Sequence, residues 1–481
     1  MTVGPLATRL LVRRSLLRPL RLGIAAGTAL LVCACSLGPA YHKPTIPAPA
    51  AWANAQVGTA PTWPSTDWWR GFASPQLDAL MVQAQHANDD IAAAVARVRE
   101  ADAQMRIAGA PLLPSVGGSA LAERERSRTG GNSPSTYTEY TPQISATYEL
   151  DFWGKNRASL HAAKALAAAS RYDRETVELT VLADVASTYF QVLALRDRLQ
   201  IAQDNLASAK TILKDLTLEQ AVGTATALDV AQQETTLDTL YAGIPPLRQQ
   251  LRQAIDALAI LTGRTPEAMK IAGASLADLS LPVVHPGLPS HLLARRPDVA
   301  AAEAQLMAAN ADMAQARAAF FPDISLTASG GFASNALAGL LDPAHEVFGL
   351  AANLVQSIFE GGALRGQSAY ARARYAELLA DYHKTVIGAF ANVEDALVAL
   401  QQTDDQARRQ QQAVLAARRA YDFAQAQLRA GTINVLTLLA TESALFSAED
   451  SMAQVRLAHF QALIGLFNAL GGGWQDTTEE R

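Results

Sequence analysis

Cysteine is nearly missing from this chain: its 481 residues hold two, Cys33 and Cys35, which excludes a disulfide framework and a cysteine-based metal site. Aromatic residues make up only 6% of a sequence that is 49% hydrophobic, so any core is built from small side chains, and alanine-heavy helices pack close. No basic cluster offsets the formal net charge of −5, which argues against nucleic acid as a partner. The eight histidines lack metal-ligand spacing, and no catalytic constellation appears. Gly471–Gly473 follows a helical stretch instead of joining a strand to a helix, so it is no phosphate loop. A protein that is not an enzyme and needs no cofactor is expected.

Glycine and proline are absent from one long stretch, Lys155 to Val222. It is rich in strong helix formers and carries Leu179, Leu182, Ala186, Tyr189 and Leu193 at helical spacing. One unbroken helix of roughly 100 Å fits it. Such a rod cannot bury its apolar face within its own length, so it needs partner helices.

The first 34 residues contain five arginines, then the apolar run Leu22–Val32, and no acid, which is a signal-peptide pattern. The run is too short for a transmembrane helix of ~20 residues. Its end, Val32-Cys33-Ala34-Cys35-Ser36, resembles a bacterial lipobox, which makes Cys35 the expected lipidated N-terminal residue of the mature chain. Removal of residues 1–34 takes Lys+Arg from 40 to 35 against 45 Asp+Glu, a mature charge near −10.

An internal repeat organises the rest. Pro114 matches Pro322, Gly154 matches Gly362, Arg157 matches Arg365, Gly223 matches Gly431, Leu228 matches Leu436, Glu234 matches Glu442 and Gly263 matches Gly471, every pair 208 residues apart. Repeat 1 covers 74–263 and repeat 2 covers 291–471, with a lipidated N-terminal segment 35–73, a linker 264–290 and a tail 472–481. Each repeat begins with an Ala-rich helix, Gln76–Ala110 or Asp298–Ala319, stopped by proline. The period then changes to two: Ile144, Ala146, Tyr148, Leu150 and Phe152 alternate with polar residues, as on a strand. The expected hairpins are 115–153, pairing Ser115–Glu123 through a loop Arg124–Tyr140, and 323–359, pairing Asp323–Phe332 with Phe348–Phe359. A long helix follows, 155–222 in repeat 1, then a turn at Gly223 or Gly431 and a shorter return helix. The two shorter helices of a repeat, end to end, match its long one and supply its antiparallel partner.

Four strands of about ten residues have the length of tilted membrane-spanning strands. Four cannot close a barrel, for which about eight is the minimum, so several chains must contribute. Periodicity alone leaves their number open.

The stretches WWRGF (Trp68–Phe72), DFWGKNR (Asp151–Arg157), LLARRPDV (Leu292–Val299), FFPDISLTASGG (Phe320–Gly331), IFEGGALRG (Ile358–Gly366), AGTINVLTLLATES (Ala430–Ser443) and LGGGW (Leu470–Trp474) closely resemble the outer-membrane factor family, the NodT/OprM-type lipoprotein channels related to TolC. The resemblance implies a homotrimer in the outer membrane whose twelve-stranded β-barrel continues into an α-helical tunnel through the periplasm. Ala40–Phe72, Ser275–Ser290 and the tail after Gly473 would form a belt around that tunnel. It implies as partners a periplasmic adaptor (membrane fusion) protein, an inner-membrane transporter of the resistance-nodulation-division (RND) class, and outer-membrane lipid. Gly154, Gly361 and Gly362 would form the barrel–tunnel junction, where glycine tolerates the bend from strand to helix.

The family narrows its periplasmic end just beyond the second glycine turn. Leu436 matches its constricting leucine, while Ala440 and Ser443 stand where relatives carry a gating aspartate and an arginine. Closure is therefore expected to rest on an apolar Leu436 ring at the tip formed by Gly223 and Gly431, with Glu442, Glu234 and Asp229 placing carboxylates close by. The implied function is a passive exit duct for drugs or other small molecules. Alternatives are the outer-membrane component of a type I protein-secretion system and a periplasmic coiled-coil scaffold lipoprotein.

Overall fold

The computed structural model describes residues 38–54, 63–127, 135–272 and 275–475. The leader 1–34 and Cys35 lie outside these residues, as do 55–62 of the expected belt, 128–134 of the expected loop and 476–481 of the tail. The elements in chain order are α1 (Pro75–Ala87), α2 (Asp89–Gly109), β1 (Ser115–Ser127), β2 (Ser135–Glu149), α3 (Lys155–Ala221), α4 (Ala227–Leu261), α5 (Pro289–Leu292), α6 (Pro297–Ala318), β3 (Asp323–Phe332), β4 (Glu346–Val355), α7 (Ala363–Arg429) and α8 (Val435–Ala469). Both α3 and α7 run 67 residues without a break, as a stretch free of proline and poor in glycine should.

The chain forms two compact units. The first contains Arg99–Ala168, Glu303–Ala380 and the segment up to Pro44. Its centre is an antiparallel sheet in the order β1-β2-β3-β4. The β1–β2 register runs from Ser115↔Thr147 to Ser127↔Ser135, and β3–β4 from Asp323↔Val355 to Phe332↔Glu346. The central pairing, Gln143↔Gly331 through Glu149↔Ser325, joins the hairpins of the two repeats.

Two expectations for the strands change. Most of the loop Arg124–Tyr140 is strand, because Glu123 to Arg126 pair with Glu139 to Thr136 and the Tyr137 hydroxyl donates to Glu125 Oε2 at 2.7 Å. A ladder extended into water needs no apolar face, so the loss of alternation there did not mark its end. β4 spans Glu346–Val355, not Phe348–Phe359, since its partner β3 starts only at Asp323, after Pro322. The outer edges of β1 and β4 carry no partner strand among the described residues, and Phe348, Leu350 and Leu354 on β4 are exposed.

The second unit contains Thr45–Val98, Ala169–Ala302 and Asp381–Arg481. Its main core gathers Trp68, Phe72, Tyr189, Phe190, Phe460 and Phe467 with aliphatic residues of α1, α3, α4 and α8. Phe72 is fully buried, with the Phe190 ring 4.8 Å and the Phe460 ring 5.8 Å away, and Trp68 stacks on Phe467 at 4.9 Å. Rings are few, and the chain concentrates them where WWRGF meets the helices.

The expected helix Gln76–Ala110 is broken at Asn88, whose backbone is extended (φ −73°, ψ 129°). The Asn88 Oδ1 accepts from the amides of Asp90 and Ile91, capping α2, and its Nδ2 donates to the Leu261 carbonyl at the end of α4. In repeat 2 the equivalent residue, Arg296, donates to the Ala469 carbonyl at the end of α8 and pairs with Asp298. There α1 is reduced to the four residues of α5. The linker 264–290 is pinned to α3 by Arg196, which donates to the carbonyls of Ile271 and Ala272, and by Asp197, which accepts the Leu276 amide.

Candidate functional site

The helix turns at Gly223 and Gly431 are built alike. Gly223 (φ +82°) donates to the Gln220 carbonyl and Thr224 to that of Glu219; Gly431 (φ +70°) donates to Leu428 and Thr432 to Gln427. Each is a Schellman closure, which needs a left-handed residue and so favours glycine. The next helix then receives a cap. Thr226 and Asp229 form a capping box on α4, while Asn434 caps α8 through the Thr437 amide and hydroxyl.

Asp229 is thereby occupied as a helix cap and is half-buried; hydrogen bonds from Thr226 hold its carboxyl below the usual range. Leu436 is 55% exposed and its repeat-mate Leu228 is 65% exposed, each on the first turn of its helix. Behind Leu436, Ile212, Leu216, Ala424, Val435, Leu438 and Leu439 form a small core, with Tyr421 and Leu428 packed against it.

The two glutamates, expected side by side in role, part company. Glu234 is exposed, and the buried polar residue on that turn is its neighbour Gln233, whose Nε2 donates to the Ala209 carbonyl of α3 at 2.9 Å. Glu442 is completely buried, and neither carboxylate oxygen has a hydrogen-bond partner. Burial alone pushes its pKa up to about 7. The inward register of α4 and α8 thus differs by one residue near the turns, although Leu258/Leu466 and Ala259/Phe467 agree farther on. Between the two regions α4 carries Pro245 and Pro246 where α8 has Ala453 and Gln454. Two interior prolines remove two helical hydrogen bonds and re-aim a helix, which accounts for the drift.

Polar contacts fasten α7 and α3 to α8 beyond this point. Arg418 pairs with Glu449, Gln410 donates to the Ala448 carbonyl, and Arg198 pairs with Asp450 at 2.7 Å.

In the first unit, Gly154 (φ +79°) makes the bend from β2 into α3. Asp151, not singled out from the sequence, caps that helix: its carboxylate accepts the amides of Asn156 and Arg157, and the Arg157 guanidinium folds back onto it. Trp153 stacks on Phe321 at 4.9 Å and donates to the Pro322 carbonyl, while Lys155 bridges Glu149 and Asp323. The motif DFWGKNR therefore braces one strand–helix junction against the α6–β3 junction of the other repeat. At Gly361 (φ +58°) and Gly362 (φ +95°) the position equivalent to Asp151 is Phe359, which is exposed and caps nothing.

Three segments of the expected belt meet in the second unit. Ser280 donates to the Phe72 carbonyl, Gly287 lies against Trp63 with its carbonyl accepting from Trp52, and Gly473 abuts Ser65. Gly38 and Pro39, the first described residues after Cys35, lie along α6, where Asn310 donates to the Pro39 carbonyl and Lys43 pairs with Glu303.

Among the described residues no group of histidine, cysteine, aspartate and glutamate could hold a metal ion. A family model described as outer membrane efflux protein matches residues 80–264 and again 288–472. The pyoverdine export outer membrane protein OpmQ of Pseudomonas aeruginosa is 41% identical over 454 residues, covering 93% of this chain and 95% of its own. Among solved structures, the outer-membrane channel OprN superposes with a TM-score of 0.86 at 27% identity, over 92% of this chain and 100% of that one. The open-state MtrE outer membrane channel of Neisseria gonorrhoeae does so with a TM-score of 0.84 at 28% identity, over 92% and 99%.

Proposed function

The chain belongs to the outer membrane efflux protein family and has the fold of TolC-like outer-membrane channels, and from this we propose that it is the outer-membrane duct of a tripartite RND-type efflux pump. The observation that carries the reading is the duplication: the family model fits twice, its two matches set 208 residues apart, the same offset that relates the glycine turns and strand–helix junctions. The duct works as a homotrimer. The unpartnered edges of β1 and β4 would be satisfied by copies of the same chain, and three copies give twelve strands. The chain conducts and performs no chemistry. Energy comes from an inner-membrane proton-driven transporter, reached through a periplasmic adaptor that grips the helix turns at Gly223 and Gly431.

Leu436 forms the apolar constriction of the closed tip, and Cys35 carries lipid that holds the N-terminus at the outer membrane. The name of the OpmQ relative makes pyoverdine the first cargo to try. Cross-linked purification from native membranes should recover an adaptor and an RND transporter, and intact mass should show three acyl chains lost on Cys35→Ser. Recovery with a type I secretion ATPase, or of a soluble monomer once the lipid is absent, would overturn the reading.

A further inference from the structure

The second repeat places a carboxylic acid where the first places a neutral amide. Gln233 fills its buried position on α4 and finds the Ala209 carbonyl as a partner. Glu442 fills the corresponding inward position on α8 and finds none for either oxygen. An ionised carboxylate buried without a partner is too costly to persist, so the group keeps its proton or leaves its site.

The surroundings offer no compensating charge. Of α3, the residues turned into this core are Ile212 and Leu216, while Lys210 and Lys214 are exposed. On α7 the titratable group that senses Glu442 is Tyr421, itself under the influence of Asp422, Arg418 and Arg429. Arg418 is engaged by Glu449, the next acid along α8, and Asp450 by Arg198. On α8 itself Leu438, Leu439 and Leu445 occupy the same inward face within one turn.

We propose that Glu442 is a proton-operated latch on the second-repeat tip: protonated, it lets α8 pack against α3 and α7; deprotonated, it drives that stretch of α8 out of the core and toward a conducting state. The proposal rests on the channel reading above. Its position fits the task, since Glu442 lies two turns from Leu436 on the same helix, and any movement that hydrates the acid also carries the leucine.

The sign follows from the raised pKa. The packed tip keeps its full stability below the ordinary glutamate value of 4.5 and loses it progressively as pH rises to about 7. Between pH 5 and pH 8 the ratio of packed to unpacked tip should fall on the order of fiftyfold.

The test is hydrogen exchange on the full-length protein in detergent at pH 5 and pH 8, corrected for intrinsic exchange, read on peptides covering 435–445. Closed-state conductance in planar bilayers is measured on the same preparations. Protection at 435–445 should drop more than tenfold at pH 8 in the wild type, conductance should rise with it, and Glu442→Gln should hold both at their pH 5 values. Glu442→Leu, which cannot titrate, checks that the flat response of Glu442→Gln is not a packing defect and should be flat as well. A pH response that survives in both variants, or a wild type with no change in protection, overturns the latch. If exchange behaves as stated but no preparation conducts at any pH, the pH-dependent packing of α8 stands, while the channel reading and the conducting half of the latch fail.

Discussion

Asn88 donates through Nδ2 to the carbonyl of Leu261 at 2.9 Å, and 208 residues later Arg296 donates through Nη1 to the carbonyl of Ala469 at 3.0 Å. Two different side chains thus close the same joint, each tying the start of a repeat to the end of that repeat's return helix. Asn88 also caps α2, whereas Arg296 uses Asp298, the counterpart of Asp90, as its ion-pair partner.

Replacing Asn88 by Ala removes a cap and leaves the Leu261 carbonyl unpaired, so thermal stability should fall by about 2 kcal/mol. Arg296→Met should cost about 3 kcal/mol, since it strands Asp298 as well. Calorimetry on the purified protein would check both, and two unchanged melting temperatures would remove the joint from the account.

The glycines should divide into two classes. A Cβ at Gly263 would overlap the Ala87 carbonyl oxygen, and one at Gly471 the Arg295 carbonyl oxygen, so alanine at either should prevent assembly. At Gly223 and Gly431 a Cβ meets nothing within 4 Å, and only the positive φ is strained, for a cost of about 1 kcal/mol. Yield of folded protein in isolated outer membranes separates the two outcomes.

Asp151→Ala uncaps α3 and removes the carboxylate that holds the Arg157 Nε, while the Nη2 bond to the Asp151 carbonyl remains; the expected loss is about 1–2 kcal/mol. Phe359→Ala, at the equivalent but non-capping position, should leave helix stability unchanged. Hydrogen exchange at the first turns of α3 and α7 would show the difference, and equal effects at both would contradict the cap.

Leu436→Ala should raise the closed-state conductance of the reconstituted protein severalfold without altering the melting temperature, because the side chain is already more than half exposed. An unchanged current would sink the apolar-ring closure.

Asp229 carries a pH dependence opposite in sign to that of Glu442. Its carboxyl is held below the ordinary value by Thr226, so the α4 cap is fully formed above about pH 4 and weakens as pH falls through the lowered value. Fraying of the first turn of α4 on acidification, absent in Asp229→Asn, is the expected exchange signature.

Much of this molecule was legible in one dimension because its governing interactions are local. A 67-residue stretch without glycine or proline becomes one helix, a glycine followed by threonine closes it, and a 208-residue offset repeats the unit. The break at Asn88 was hidden, since Ala-rich sequence continues across it and the local cap on Asp90 and Ile91 is joined by a bond to the Leu261 carbonyl 173 residues away. The pairing of β2 with β3 likewise depends on two hairpins brought together from distant parts of the chain. Glu234 and Glu442 are equivalent in sequence, and the sequence by itself determined that each would sit on a return helix near a turn. Which one is buried was decided by packing: a proline pair rotates one helix relative to its counterpart, and a side chain's exposure depends on the angle at which its helix arrives.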